Sequence, residues 1–420
     1  MTPDSLTSPD HALELDRQDE LASFRRRFIT SEPDLIYLDG NSLGRLPKET
    51  AARLQQVVEE GWGGRLIRGW DEGWYTLPER VGGKMAGLLG ARPEEVIMAD
   101  ATSINLFKLA LAALALRPGR TRIVTDNLNF PTDLYILEAV CRLAGSEYEL
   151  LVVESADDIH GPLEALNEVI DGHTALLTLS HTTFKSSYTY DLAAVTQMAH
   201  DAGALALWDC SHSVGALPVE LNRAGVDLAV GCSYKYLNGG PGSPAFLYIR
   251  QDLQRQMANP ISGWMGHKDP FDFDLSYEPS AGLRRFLSGT PPILALAAVE
   301  IGLDLMLEAG IERIRAKSLR QSEYLIELLD HQLAPQGYRL KSPRDATYRG
   351  SHVTLGHDQA DRIRRVLIEQ MDVLPDFRPP DNIRLGIAPL YNSFVDIHNA
   401  VSRLYTVVEE RQYEHQSERD

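Results

Sequence analysis

Cysteine is scarce in this chain: Cys141, Cys210 and Cys232 are the only three in 420 residues. They are too few and too irregularly spaced for a disulfide framework or a zinc site, which fits a reducing compartment. Long apolar runs are missing too, so no stretch is suited to span a bilayer. The opening "MTPDSLTSPDHALELDRQDE" is polar and acidic, without the apolar core of a signal peptide. A soluble, cytoplasmic protein is expected. Positive charge is also in deficit, with 41 Lys and Arg against 59 Asp and Glu and a net charge of −18. Such a chain repels phosphate backbones and anionic lipid, which argues against nucleic-acid or membrane partners. Any anionic ligand would need a local cluster of donors. What remains is ordinary globular composition, 44% hydrophobic and 24% charged, at a length that suits two or three domains.

Apolar β-rich runs occur at "RIVT" (122–125), "ELLVVE" (149–154), "ALLTLS" (175–180), "ALALWD" (204–209), "DLAVGC" (227–232) and "AFLYIR" (245–250). Helical patterns lie between several of them, such as "DLAAVTQMAHDAG" (191–203) with a closing glycine. Strands apolar on both faces and separated by helices imply an α/β fold with a mostly parallel, helix-covered sheet. The stretch 295–333 reads as helical and a small α+β region follows it. The expected division is an N-terminal segment (1–59), a large α/β domain (60–300) and a smaller C-terminal α+β domain (301–420). The polar ends, roughly 1–15 and 410–420, are expected to fray.

Ligands of open parallel sheets sit beyond the carboxyl ends of the strands. Ser180 and Asp209 close apolar strands there, with His212 and Lys235 shortly after such ends. A buried carboxylate at Asp209 needs a donor. It is either a helix N-cap or the partner of a protonated pyridine nitrogen. His212 either packs or reaches the same ligand. Lys235, in "CSYKYLNGG", is either a snorkelling edge lysine or a confined amine. Desolvation lowers the pKa of a confined amine and makes it a nucleophile able to form a Schiff base with an aldehyde cofactor. Tyr234 beside it is packing or a second proton carrier. "NGGPGS" lacks the ending of a nucleotide-binding P-loop and reads as a tight turn. Thr102 and Ser103 stand where a helix should begin, either as caps or as a phosphate cradle. Phe130, in the turn "NFPTD" that ends in Asp133, either joins the core or stacks on a flat ring. Taken in chain order, the set matches a pyridoxal 5′-phosphate site on a fold-type I scaffold.

The blocks "TSINLFK", "NFPTDLYI", "WDCSHSVGALP", "GCSYKYLNGGPGSPAF", "SGWMGH" and "FLSGTPPI" appear in that order between "IYLDGNSLGRLP" (36–47) and "RLGIAPLYNSFVD" (384–396). In this the chain resembles the bacterial kynureninases, a fold-type I family of pyridoxal-phosphate hydrolases within the class V aminotransferase superfamily. The resemblance implies cleavage of L-kynurenine, and more weakly of 3-hydroxykynurenine, to anthranilates and L-alanine. It further implies a place in tryptophan catabolism and in the kynurenine route to NAD, and a homodimer with shared active sites. By motif, Lys235 would carry the cofactor, Asp209 would face its ring nitrogen with His212 nearby, and Tyr234 would act as acid and base. Thr102, Ser103, Tyr234, Trp264 and Thr290 would surround the phosphate, some of them from a second subunit. Phe130, Asp133 and Ser180 would line the ring. Arg384 would grip the substrate carboxylate, with Ser42 and Trp70 on the substrate side. No metal is implied. The stretch 182–190 follows the family only loosely, and Cys210-Ser211 stand where apolar residues are usual. Gly289-Thr290 resembles the pattern tied to kynurenine over its 3-hydroxy form.

Four rival readings remain. A cysteine desulfurase-like lyase needs a nucleophilic cysteine after the lysine, and no cysteine follows Lys235. An aminotransferase would share Lys235, Asp209 and Arg384, and would show pyruvate-dependent return of the aminated cofactor. A pyridoxal-phosphate-binding regulator would add a basic DNA-binding domain, for which the acidic N-terminal stretch leaves no room, and an inert scaffold would not need the lysine–aspartate pair.

Overall fold

A computed structural model describes residues 6–415. After a two-residue strand, β1 (Ile36–Tyr37), the chain builds a seven-stranded sheet from β2 (Val96–Met98), β3 (Arg122–Asp126), β4 (Glu149–Val153), β5 (Thr174–Ser180), β6 (Leu205–Asp209), β7 (Leu228–Gly231) and β8 (Phe246–Ile249). Their order is β2-β8-β7-β6-β5-β3-β4. Strands β3 to β7 run parallel, and β8 is antiparallel to both β7 and β2. Every residue of β5, β6, β7 and β8 is buried, because helices cover both faces. Strand alternation sends Ala206 and Trp208 of β6 to one core and Leu205 and Leu207 to the other. The six apolar runs all became strands. The short edge strand β2 is an addition, its three residues being too few for a pattern to show.

The region after the sheet begins with two helices, Ile293–Ala309 and Ile311–Leu328, where one helical stretch was expected. Gly310, at φ +79°, adopts the left-handed backbone that separates them. Strands β9 (Arg339–Leu340), β10 (His352–Gly356), β12 (Asp376–Arg378) and β13 (Asn382–Gly386) form a second, antiparallel sheet in the order β12-β13-β10-β9. Between them, β11 (Val373–Leu374) pairs in parallel with β1. A separate apolar cluster, including Leu325, Val353, Ile383 and Leu404, fills this part. Among the described residues no helix is long and apolar enough to cross a membrane.

The expectation that residues 1–15 fray is corrected by a helix at Pro9–Arg17. Ser8 caps it, and Asp16 accepts the N–H groups of Phe394 (2.7 Å) and Val395 (3.1 Å) at the start of the Phe394–Glu409 helix. Asp19 forms a buried ion pair with Lys317 at 2.7 Å. Local polarity hid these distant partners. Residues 1–5 and 416–420 lie outside the described residues, and Gln412–His415 forms a 3₁₀ turn.

The stretch 38–44 ties the two sheets together. Gly386 N–H donates to Leu38 O (2.6 Å), and Gly44 N–H donates to Tyr234 O (2.8 Å), one residue before Lys235. A Cβ at Gly44 would lie 2.4 Å from Lys235 O and 2.8 Å from Asn238 Cα. Backbone atoms cannot yield that space cheaply. Gly44→Ala is therefore expected to destabilise the fold by roughly 1–3 kcal/mol in urea unfolding. Unchanged stability would mean that the lysine loop is free to back away.

Candidate active site

The carboxyl ends of β3, β5, β6 and β7 point toward the second sheet, and a cavity of about 190 Å³ opens between them. The large sheet and its loops supply Thr102, Ser103, Phe130, Asp133, Asp209, His212, Tyr234 and Lys235. Ser42 enters from the N-terminal stretch and Arg384 from β13. Ten of the residues singled out from the sequence thus meet in one place.

Lys235 Nζ lies 2.9 Å from His212 Nε2 and 5.9 Å from the centre of the Tyr234 ring. Burial, and then the Lys235 charge, hold His212 well below the usual imidazole range. It is therefore neutral at pH 7 and can accept a hydrogen bond from the amine. Asp209 takes the N–H (2.9 Å) and hydroxyl (2.6 Å) of Ser211, both on Oδ1. Its Oδ2 carries no hydrogen bond among the described residues. Burial raises the Asp209 carboxyl above its ordinary value, and the Lys235 charge opposes this. Ser211, for which the sequence offered no role, orients Asp209 and accepts the Cys232 N–H at 3.1 Å. Cys210 is fully buried in the apolar cluster that also holds Trp208 and Val214.

Asp133 is buried in the first turn of the Pro131–Ala144 helix. Burial and then the Asp209 charge push its carboxyl well up, while Lys235 pulls it down. Phe130 precedes that helix, is 41% exposed and lines the cavity instead of joining the core. The Thr102–Ala115 helix is capped by Ala101, and neither Thr102 nor Ser103 spends its hydroxyl on capping. The first amides of this helix, before Asn105 N–H reaches Ala101 O, have no intrahelical acceptor. Arg384 is fully buried. It donates to Phe184 O (2.6 Å), to Ser42 Oγ (2.8 Å) and to Asp376. The loosely matching 182–190 loop is thus a support for Arg384, and Lys185 contributes its carbonyl to Thr354.

Four expected site residues stand elsewhere. Ser180 pairs in register with Asp209, but it is buried beside the cavity instead of lining it, its N–H held by Asn129. Trp70 packs edge-on against Trp74, Trp264 edge-on against Phe271, and Thr290 is exposed. None of these three lines the cavity of this chain. Conversely, sequence reasoning missed Asn41, Thr132 and Arg378, all of which line it. Asn41 and Thr132 sat one residue from Ser42 and Asp133, and Arg378 had no local signal. His352 was missed as well. It is buried with its ring 5.6 Å from that of His212.

The residues present fit a phosphorylated pyridine aldehyde. An amine, a buried carboxylate with one free oxygen, an exposed aromatic side chain and a helix N-terminus with idle hydroxyls share one cavity. Nearly the same chain trace occurs in the apo cysteine desulfurase of Thermococcus onnurineus NA1, with a TM-score of 0.81 at 18% identity, covering 92% of this chain and 98% of that one. The cysteine desulfurase CsdA of Escherichia coli gives 0.78 at 20% identity, covering 93% and 99%. Fold and site together define a fold-type I enzyme of the pyridoxal-phosphate class. Within that class, residues 314–404 match the family model described as the kynureninase C-terminal domain. The kynureninase of Pseudomonas fluorescens is 43% identical over 411 residues, 97% of each chain, and that of Burkholderia mallei (strain SAVP1) is 42% identical over 405 residues, 95% of each. The chain belongs to the kynureninase family.

Asp39, beside this cavity, has a stability consequence. Burial raises its carboxyl from 3.8 to about 6, with a bond from Ser42 opposing the shift. The folded state therefore binds the proton more tightly than the unfolded chain. Ionised Asp39 costs stability above about pH 6, and the cost fades as pH falls toward 4. Asp39→Asn is expected to stabilise the protein by roughly 1–3 kcal/mol at pH 8 and by almost nothing at pH 4. A gain independent of pH would show that Asp39 is not ionised against the fold.

Proposed function

We propose that the cavity holds pyridoxal 5′-phosphate and hydrolyses L-kynurenine to anthranilate and L-alanine, with Lys235, Asp209 and Tyr234 as its catalytic groups. The observation that carries this is the convergence of Lys235, Asp209, the Thr102–Ser103 helix start and Arg384 on one cavity. When bound, the coenzyme supplies an electron sink for the charge left at the substrate α-carbon. Thr102, Ser103 and the free amides behind them would hold its phosphate. Asp209, oriented by Ser211, would keep the ring nitrogen protonated, and Phe130 would lie against the ring. Arg384 and Ser42 fix the substrate carboxylate, which places the α-proton near Lys235.

Lys235 would anchor the coenzyme through its amine and is placed to take the α-proton of the substrate. His212 is kept neutral by burial and accepts the hydrogen bond that holds the lysine in place. Water adds to the γ-carbonyl and the Cβ–Cγ bond breaks to release anthranilate, while the alanyl half gains a proton at Cβ and regains at Cα the one held by Lys235. Burial raises the Tyr234 hydroxyl, so it stays protonated and able to donate. A positioned acid of this kind contributes roughly 10²–10⁴ in rate. The three cysteines are buried and none follows Lys235, which disfavours desulfurase chemistry.

Trp70, Trp264 and Thr290 are assigned to the cavity of a second copy, in a homodimer with shared sites. Their positions outside this cavity support that assignment, as do the exposed apolar side chains Phe271, Phe273 and Leu275 near Trp264. The large α/β part, the smaller C-terminal part and a cytoplasmic location belong to the same proposal, with separate apolar clusters supporting the division. Anthranilate fluorescence on mixing coenzyme-loaded protein with L-kynurenine, run beside 3-hydroxykynurenine, is expected to show faster release from the former with equimolar alanine. Coenzyme consumption reversed by pyruvate, without anthranilate, would point to transamination instead. Lys235→Ala is expected to lose both the visible absorption of attached coenzyme and turnover. Visible absorption that survives dialysis in this variant, with the pyridoxyl group left covalently bound after borohydride reduction, would place the attachment at another amine.

A further inference from the structure

The cavity carries a second arginine that the functional reading has not used. Strand β12 pairs with β13 so that Asp376 stands opposite Arg384, and Arg378, two residues on, reaches the same cavity. Asp376 Oδ2 is the meeting point: it takes a hydrogen bond from Arg384 NH2 and an ion pair from Arg378 NH2 at 2.8 Å. One carboxylate oxygen thus bridges two guanidinium groups. The two arginines differ in setting. The Arg384 side chain is 1% exposed, whereas that of Arg378 is 31% exposed.

This bridge bears on how a substrate carboxylate enters. Arg384 NH1 is engaged by Phe184 O, and NH2 already serves Ser42 and Asp376. Asp39 adds a further carboxylate oxygen 4.0 Å from the same nitrogen. Arg384 Nε has no hydrogen-bond partner among the described residues, so an incoming carboxylate meets a cation whose other two nitrogens are engaged, in a buried setting where like charges repel strongly. Asp376 held by Arg384 alone would form a closed one-to-one pair, and the substrate would have to break it. With Arg378 drawing on the same oxygen, the group has two cations for Asp376 and the substrate together.

We propose that Arg378 is a positioning residue for substrate affinity: by sharing Asp376 it keeps Arg384 available to the substrate carboxylate. This rests on the reading of Arg384 as the carboxylate grip. It acts through Asp376 and does not require Arg378 to touch the substrate.

The test compares Arg378→Gln, Asp376→Asn/Arg378→Gln and Arg384→Lys as coenzyme-loaded enzymes. Two readouts are taken: KM and kcat for L-kynurenine, and the dissociation constant of the product L-alanine from its change in the visible absorption. Arg378→Gln is expected to raise both KM and the alanine constant about tenfold, with kcat changed less than about threefold. Removing the Asp376 charge in the double variant is expected to bring both back to within about threefold of the parent. A merely structural role would not be rescued by a second substitution in the same cluster. Unchanged affinities in Arg378→Gln, or a double variant no better than the single one, would overturn the inference while Arg384→Lys still weakened binding. Unchanged affinity in Arg384→Lys would overturn the reading of Arg384 itself, and the inference with it.

Discussion

The contact between Lys235 Nζ and His212 Nε2 sets the terms for the rest of the site. An amine confined in a cavity can stay aimed at a ligand only if a neighbour accepts its hydrogen bond without neutralising it. A carboxylate at that distance would form a tight ion pair and fix the lysine as a cation. A neutral imidazole gives the direction without the charge. Burial keeps His212 neutral, and the Lys235 charge reinforces this, so the pair is self-consistent. The carboxylates that do balance the lysine, Asp209 and Asp133, act on it through space instead of through a hydrogen bond.

That arrangement requires many polar groups to be buried close together, and the backbone makes room for them. The stretch from Leu38 to Gly44 runs between the small sheet and the lysine loop, hydrogen-bonded to Gly386 on one side and Tyr234 on the other. Both contacts need glycine. A Cβ at Gly386 would meet Asn41 Oδ1 at 1.9 Å, and one at Gly44 would meet Lys235 O at 2.4 Å. In consequence, Ser42 can bond Arg384 while its neighbours touch the backbone that carries Lys235. The group that would hold the substrate carboxylate and the group that would take its proton share one short rigid link. Asp39 lies in the same stretch, with a carboxyl raised to about 6. Stability is given up there to keep charge near the site.

The large sheet and the Lys235 half of the site were legible because their signals are local. Apolar runs ending in Ser180 and Asp209 give both the strands and their carboxyl ends, and Thr102–Ser103 precede an apolar helical repeat at a true helix start. The Arg378 half was not legible. Its side chain reaches the cavity only because β12 folds back on β13, and a two- or three-residue strand has too short a period to announce itself. The N-terminal helix was missed for a related reason. Asp16 and Asp19 look like solvent-facing acids until Phe394 and Lys317, hundreds of positions away, are brought to them. Trp70, Trp264 and Thr290 illustrate the opposite case. Motif order flagged them, yet one chain does not bring them to its own cavity.

The charge balance links these halves. A chain at −18 is a poor host for a phosphate and a carboxylate at once, and the structure separates the two demands. At one end of the cavity the Thr102–Ala115 helix offers unpaired amides and hydroxyls, so a phosphate can be held by dipoles without a cation. At the other end Arg384 and Arg378 supply full charges, with Asp376 and Asp39 preventing their mutual repulsion. Lys235 lies in the same cavity, without a direct ion pair among the described residues. The acidic surroundings therefore do not weaken the site uniformly. They leave the dipolar end untouched and fall on the arginine end, where each counter-carboxylate competes with the ligand. Affinity for a carboxylate is then set less by the number of arginines than by how the resident acids are shared among them.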